Sequence, residues 1–207
     1  MSFDVKQLTE FAVEAIKEFA EEHQNETFYG FAVDASMLCL NSEECAADTL
    51  KEYRDNWDRQ TRHLDSMEEM TDADHRDEEF LLGFAERHED LDRKDEQACL
   101  KVINESRERS RRKGCKYRTD EGIRDLRNNT GDWAYQGFVD LDEDNGFDHE
   151  LYDDHYYEAG ESEDGHAPNS EYAKAMTALV EQLIQRDAFA PLKRADDFTA
   201  RWVDHDY

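Results

Sequence analysis

Two histidines and several carboxylates in one short run offer the ligand types that transition metals prefer. The run 148–155 holds His149 and His155 together with Asp153 and Asp154. Imidazole nitrogens and carboxylate oxygens both bind zinc and related ions. The spacing of the histidines differs from the i, i+4 pair of a helical metal site. Two alternatives stay open: a metal site formed by His149, Asp153 and His155, and a solvated acidic segment, which is the simpler because these residue types are abundant here.

The segment just before this run resembles a calcium-binding loop. Asp140, Asp142 and Asp144 alternate, and alternating carboxylates can place oxygens around one hard cation. The pattern departs from such a loop at two places, since Gly146 falls one residue late and Leu151 stands where the loop has its glutamate. A divalent cation is therefore an alternative in this region, and no cofactor is predicted.

Signatures of nucleophilic catalysis are absent from the sequence. The chain has no GxSxG, no phosphate-binding loop and no GxGxxG motif. Cys39 stands between two leucines and is typical of a small core residue. We therefore expect a protein that is not an enzyme, with a metal-dependent enzyme using the 148–155 cluster as the alternative.

The net charge is the most unusual feature of the composition. The chain carries 53 acidic and 25 basic residues, which gives a formal charge of −28. Such a surface repels nucleic-acid backbones and anionic membranes, so neither is an expected partner. It suits a basic protein, a metal ion, or simple solubility in a salty medium.

Several features of the sequence predict a cytoplasmic protein. The N-terminal residues lack the basic and apolar regions of a signal peptide, and no apolar run approaches the ~20 residues that span a membrane. The cysteines have no paired motif spacing, so we expect reduced thiols.

The acidic residues are concentrated in one part of the chain. Residues 128–173 contain no lysine or arginine and hold fourteen acids, which is half of the net charge. We expect 140–168 to be an acidic and partly mobile segment, with an exposed loop over 159–168. The residues that we predict to contact a basic partner are Asp142, Asp144, Asp153 and Asp154.

Hydrophobic periodicity predicts an α+β fold in one domain, residues 1–207, with an antiparallel or mixed sheet and helices packed on it. Strand 26–34 should be central, because apolar residues lie on both of its faces, with Tyr29, Phe31 and Val33 opposite Phe28 and Ala32. We predict a helix from an Asn41 cap through Tyr53, a polar loop with helical pieces over 58–77 and a strand over 132–139. The other predicted helices are 3–22, 78–88, 95–113, 120–127 and one that begins after Asn169 or Ser170; the other predicted strands are 37–40 and 197–203.

A basic stripe, residues 107–118, interrupts the acidic chain with seven bases and one acid. It could bind a phosphate or another acidic ligand. It could also complement a helix C-terminus and pair with acids of the fold, and we favour this second interpretation.

Three stretches suggest a family. They are the segments 27–44 and 125–138 and the ending Val203-Asp-His-Asp-Tyr207. Together they resemble the bacterial domain-of-unknown-function family numbered 4303. The resemblance spans most of the chain and implies a genomic setting near toxin and immunity genes. It carries no known chemistry, so it implies no catalytic residue.

The leading hypothesis from the sequence is a non-enzymatic binding protein, of the immunity type, that neutralises a basic protein. The alternatives are a metal-dependent enzyme or metal-binding protein at 148–155, and acidity that serves only solubility in salt. A concentrated negative surface would steer a basic partner and orient it more than it would add affinity.

Overall fold

The computed structural model describes residues 2–68, 114–163 and 165–204. Within these ranges the chain forms five α-helices and a four-stranded mixed sheet, which confirms the predicted α+β fold with packed helices. The helices are α1 (Val5–Glu22), α2 (Glu43–Glu68), α3 (Asp120–Asn128), α4 (His149–Glu161) and α5 (Glu171–Gln185). The strands are β1 (Phe28–Asp34), β2 (Met37–Ser42), β3 (Tyr135–Asp140) and β4 (Arg194–Val203).

The chain divides into two compact units. The first consists of Met1–Thr49 and Asp125–Tyr207, and the second is Leu50–Arg124. The first contains the whole described sheet. The prediction of a single domain stays a prediction.

Strand β1 lies in the middle of the sheet, as predicted. The strand order is β3-β2-β1-β4, with β1 antiparallel to β2 and parallel to β4, and β2 antiparallel to β3. All seven residues of β1 are buried. A strand covered on both faces needs apolar residues on both, which is why its sequence does not alternate.

Helices α1 and α5 cover one face of the sheet. Their apolar stripes meet Phe28, Phe31 and Val33 of β1 in the main core. The helical residues in this core include Leu8, Ile16, Met176, Leu179 and Leu183. Burying a side chain of this size stabilises a fold by roughly 1.5–3 kcal/mol relative to its exposure. Asp4 caps α1 and Ser170 caps α5, each by accepting a backbone N–H, and Ser170 is one of the two residues predicted to precede α5.

The other face carries a smaller cluster built on Trp133. It contains Tyr29, Ala32, Cys39, Ala46 and Trp133. Pairing shifts register between Phe28 and Gly30. Because the side-chain period of a strand is two, this bulge puts Phe28 on the same face as Phe31 and Tyr29 on the opposite one. The predicted division of β1 between its faces was therefore wrong at Phe28 and Tyr29.

The junction of β2 and α2 differs from the sequence prediction. Ser42, rather than Asn41, accepts the backbone N–H of Cys45 and so caps α2. Asn41 is buried in β2, where its amide donates to the hydroxyl of Tyr29. Both residues are good caps by type and both are buried, but the Asn41 amide is bound to Tyr29 while the Ser42 hydroxyl reaches Cys45. Helix α2 then continues to Glu68, so residues 58–68 of the predicted loop with helical pieces are helical throughout.

Some predictions fall outside the described residues. These are the helices 78–88 and 95–113 and most of the basic stripe, of which only 114–118 is described. None of the described helices is both long and apolar enough to cross a membrane.

Candidate functional site

Helix α4 presents an acidic face with a tyrosine at its centre. Six residues recur at i, i+3 and i+4 along the helix, and all six are exposed. They are Glu150, Asp153, Asp154, Tyr157, Glu158 and Glu161, and we call them the acidic face of α4. The opposite side packs inward through His155 and Ala159, both buried. One side of α4 is therefore buried, and the other side is charged and exposed.

No described lysine or arginine neutralises this face. The ion pairs of the described residues lie elsewhere, as in Glu14 with Lys17 or Arg127 with Glu43. Glu150, Asp154 and Glu158 instead follow one another at i, i+4, where like charges repel. The C-terminal end of α4 also carries acids and no base, opposite to what the helix dipole favours.

Two adjacent tyrosines add exposed aromatic surface to the acidic helix. Tyr156 is 47% exposed and Tyr157 is 69% exposed. Their rings are 6.0 Å apart in an edge-to-face arrangement. An exposed ring face attracts cations, most often the guanidinium of arginine. The surface thus combines charge with a site for stacking.

The four residues predicted to contact a partner fall into two groups. Asp153 and Asp154 lie on the acidic face of α4. Asp142 and Asp144 lie around a 3-10 turn, Glu143–Asn145, and both are exposed. The carboxylate of Asp142 accepts the backbone and side-chain N–H groups of Asn145, so it also shapes this turn.

The predicted metal ligands have different surroundings. His149 and Asp153 are exposed, whereas His155 is 1% exposed and points into the core. Within the described residues, no three His, Cys, Asp or Glu side chains are grouped to hold a metal ion. The metal site of His149, Asp153 and His155 stays a prediction, and so does the calcium alternative.

His155 joins a serine to an aspartate. Its Nδ1 is 2.8 Å from Oγ of Ser170, and its Nε2 is 3.2 Å from Oδ1 of Asp204. The order of the three residues is that of a Ser-His-Asp triad, with the ring nitrogens exchanged, since Nδ1 contacts the serine and Nε2 the aspartate. Ser170 is 8% exposed, however, and its Oγ also accepts the N–H of Ala173 as the cap of α5. These two contacts of His155 support a structural role, in which they hold α4 against the start of α5 and the end of β4.

A carboxylate that the sequence analysis did not single out is the centre of a second polar cluster. Oε2 of Glu26 accepts the Ser42 hydroxyl at 2.6 Å, and Oε1 accepts the Tyr135 hydroxyl at 2.6 Å. His23 Nδ1 lies 2.9 Å from Oε1, and the Cys45 thiol donates to Oε2 at 3.5 Å. The five residues come from the segment between α1 and β1, the end of β2, the start of α2 and the start of β3.

The proton affinities in this cluster favour a structural role. Burial alone would raise the pKa of Glu26, but the hydrogen bonds from Ser42, Tyr135, His23 and Cys45 outweigh it and lower the pKa to about 2. Burial and the bond to Glu26 raise the pKa of Tyr135. Near neutral pH, such a carboxylate is too weak a base and such a phenol too weak an acid for efficient proton transfer. The cluster is a fixed polar junction.

Cys39 behaves as the small core residue that its sequence context predicts. It is fully buried in the cluster around Trp133. Burial raises the pKa of its thiol to about 11, so the thiol stays protonated near neutral pH.

Comparisons with known proteins identify no relative: no protein-family model, no curated protein and no solved structure matches the chain. The resemblance to the family numbered 4303 therefore stays a prediction. The candidate functions therefore rest on the surface and the clusters described above.

Proposed function

We propose that the protein binds a basic protein partner through the acidic face of α4. The observation that carries the proposal is the shared exposure of five carboxylates and Tyr157 along one side of a helix. No described cation pairs with these carboxylates, so a partner's cations would find them available. A basic toxin, the partner of an immunity-type protein, has the required chemistry.

Electrostatic repulsion within α4 supports a partner that supplies positive charge. Asp154 lies one turn from Glu150 on one side and from Glu158 on the other. Each like-charge pair at this spacing costs about 0.2–0.5 kcal/mol in a helix. A bound lysine or arginine removes this repulsion, so the same arrangement that weakens the free helix strengthens the complex.

Tyr156 and Tyr157 support a localised contact rather than a diffuse attraction. Exposed aromatic residues are enriched among those that dominate binding energies. A guanidinium over an exposed ring contributes about 0.5–1 kcal/mol, and more when water is excluded. The tyrosines would therefore fix where a basic segment sits, while the carboxylates would raise its association rate.

The turn 143–145 extends the negative surface toward α1. The N–H of Asp4 donates to the carbonyl of Gly146 at 2.9 Å, and the Gln7 amide donates to the carbonyl of Asp144. These bonds hold the turn at the start of α1. Asp144 therefore has a fixed position from which its exposed carboxylate can contribute to binding.

Fluorescence anisotropy with a labelled arginine-rich peptide tests the proposal. We expect the triple variant D153N/D154N/E158Q to bind this probe roughly tenfold more weakly than the unmodified protein at low salt, because three of its charges are removed from one face. The difference should shrink as salt is added.

A variant with the same charge change elsewhere is the matched control. Glu14, Glu18 and Glu21 are exposed on α1, so E14Q/E18Q/E21Q removes three charges from a different helix. We expect this control to keep most of the affinity. Equal weakening by the two triple variants would show that only the net charge matters, and the proposal would then fail.

A further inference from the structure

The second compact unit contains a cavity lined by aromatic and amide side chains. Its volume is about 230 Å³, and its lining residues are Tyr53, Asn56, Trp57, Gln60 and Tyr117. The first four recur at i, i+3 and i+4, so they share one side of α2. Tyr117 belongs to a 3-10 turn, Lys116–Arg118. The cavity therefore lies between one helix face and one short turn.

Hydrogen bonds and an ion pair fix the turn against the helix. The guanidinium of Arg54 donates to the carbonyl of Tyr117 at 2.8 Å. Arg118 donates to both carboxylate oxygens of Asp58, at 2.8 and 2.7 Å. Paired bonds of this kind restrict orientation as well as distance. The walls of the cavity are thus held in place by residues outside its lining.

The aromatic rings can take a flat group. The ring centroids of Tyr53 and Tyr117 are 4.8 Å apart with an angle of 51° between the planes, so these two rings contact each other and form one aromatic wall, and Trp57 lines the same cavity. The ring faces of tyrosine and tryptophan stack on any nucleobase, because every base has a π-face. The cavity is smaller than the ~300–1,000 Å³ of sites for drug-sized ligands, which suits a single ring system.

The polar atoms narrow the choice of ligand. Asn56 and Gln60 each present an amide that both donates and accepts, which matches the edge of a nitrogen heterocycle. Lys116 places its ammonium 4.8 Å from the centroid of Tyr117, so that ring already attracts a cation of the protein. None of the described residues that line the cavity is acidic. A quaternary ammonium ligand is therefore a poorer match than a neutral planar group.

We propose that this cavity binds a planar nitrogen heterocycle of the nucleobase class. The indole of Trp57 stacks on the base, the contacting rings of Tyr53 and Tyr117 form the adjoining wall, and the amides of Asn56 and Gln60 hydrogen-bond to the edge of the base. The site belongs to a different unit from the acidic face of α4 and does not depend on the function proposed for that face.

Tryptophan fluorescence of the full chain tests this site, with adenosine as the probe. We expect a saturable change in emission that is lost in Trp57→Phe, because the base would stack beside that indole. We expect N56L/Q60L to weaken adenosine binding roughly tenfold, since it removes the groups that contact the base edge. Asn56 and Gln60 are exposed on a helix, so the variant should fold, which circular dichroism can check.

Three results would overturn the proposal. They are a saturable response to tetramethylammonium chloride but not to adenosine, equal adenosine affinity in N56L/Q60L and the unmodified protein, and no saturable response up to about 10 mM adenosine, the weak limit of specific binding. Gln185→Leu is the matched control, because Gln185 is an exposed helical glutamine in the other unit. It should bind adenosine as the unmodified protein does.

Discussion

The hydroxyl of Tyr135 donates to Oε1 of Glu26 at 2.6 Å. This bond joins β3 to the segment just before β1. Ser42 binds the other carboxylate oxygen from the end of β2. Hydrogen bonds to a charged group contribute about 1.5–3 kcal/mol each. We expect Glu26→Gln to lower the free energy of unfolding by about 2 kcal/mol or more, measured by urea denaturation. Glu22→Gln, an exposed control on α1, should change it little, and equal effects of the two would contradict the role of Glu26.

The low pKa of Glu26 makes the free energy of unfolding depend on pH in the acid range. The folded-state pKa is about 2, against 4.5 for the unperturbed group, so the unfolded chain binds this proton more readily. The stabilisation by Glu26 is fully present above the unfolded-state pKa of 4.5. It is lost as the pH falls through the folded-state pKa of about 2. We expect the unfolding free energy to decrease more steeply between pH 4.5 and 2 in the unmodified protein than in Glu26→Gln. Parallel pH profiles would contradict this assignment.

Gly30 and Trp133 show why the smaller core cluster tolerates no extra methyl group. A Cβ at Gly30 would lie 2.8 Å from a ring carbon of Trp133. The indole is itself fixed, because its Nε1 donates to the carbonyl of Arg127 at 2.9 Å. We expect Gly30→Ala to destabilise the fold by about 1–3 kcal/mol through overpacking.

A double-mutant cycle separates this clash from the loss of glycine flexibility. Trp133→Phe shortens the ring, so Gly30→Ala should cost less in the Trp133→Phe background. Thermal denaturation of the four proteins measures the coupling. Simple additivity would show that the ring contact does not limit position 30.

The strands and the apolar helices could be predicted from the sequence because their periodicity is local. Thr27–Val33 is rich in β-branched and aromatic residues, and α1 keeps one apolar stripe throughout. The face that each β1 residue occupies could not be predicted, because it depends on a bulge between Phe28 and Gly30. Bulges are set by pairing with other strands, which the local pattern does not contain.

The acidic surface could be located from the sequence, but its organisation could not. The sequence pattern predicted that Asp153 and Asp154 lie in a partly mobile segment, whereas in the structure they lie on a regular helix. The predicted exposed loop over 159–168 was wrong in part, since α4 extends to Glu161 and Ala167 is buried. The low apolar content of α4 hid its helical period, although the i, i+3 and i+4 spacing of its acids was visible.

The two polar clusters were missed because their members are distant in the chain. Glu26 and Tyr135 are 109 residues apart, and His155 and Asp204 are 49 apart. No short motif connects residues at such separations. The partners of the buried histidine and of the half-buried carboxylate are brought together only by the folded chain, so only the tertiary structure reveals the clusters.

Removing one charge from α4 should stabilise the free protein. Asp154 has an acidic neighbour at both i−4 and i+4, so Asp154→Asn should raise the free energy of unfolding by about 0.5 kcal/mol at low salt. The gain should diminish in high salt, where the repulsion is screened. Scanning calorimetry at two salt concentrations measures both effects.

Glu171 offers a control of the opposite sign. It forms an i, i+3 pair with Lys174 at 2.7 Å and has no acid at i−4 or i+4, so Glu171→Gln removes an attraction instead of a repulsion. We expect Glu171→Gln to leave the stability unchanged or slightly lower. A stabilisation equal to that of Asp154→Asn would mean that the net charge of the chain, not the arrangement on α4, sets the effect.

Nuclear magnetic resonance with the arginine-rich peptide shows whether the acidic face of α4 is the binding site, because it reports which residues respond. Isotope-labelled protein is titrated, and the amide shifts of each residue are followed. We predict that the largest shifts fall on the acidic face of α4 and on Tyr156, with smaller ones at the turn 143–145. Shifts of similar size on the exposed acids of α1, at Glu14, Glu18 and Glu21, would contradict a specific binding face and leave a uniformly acidic surface.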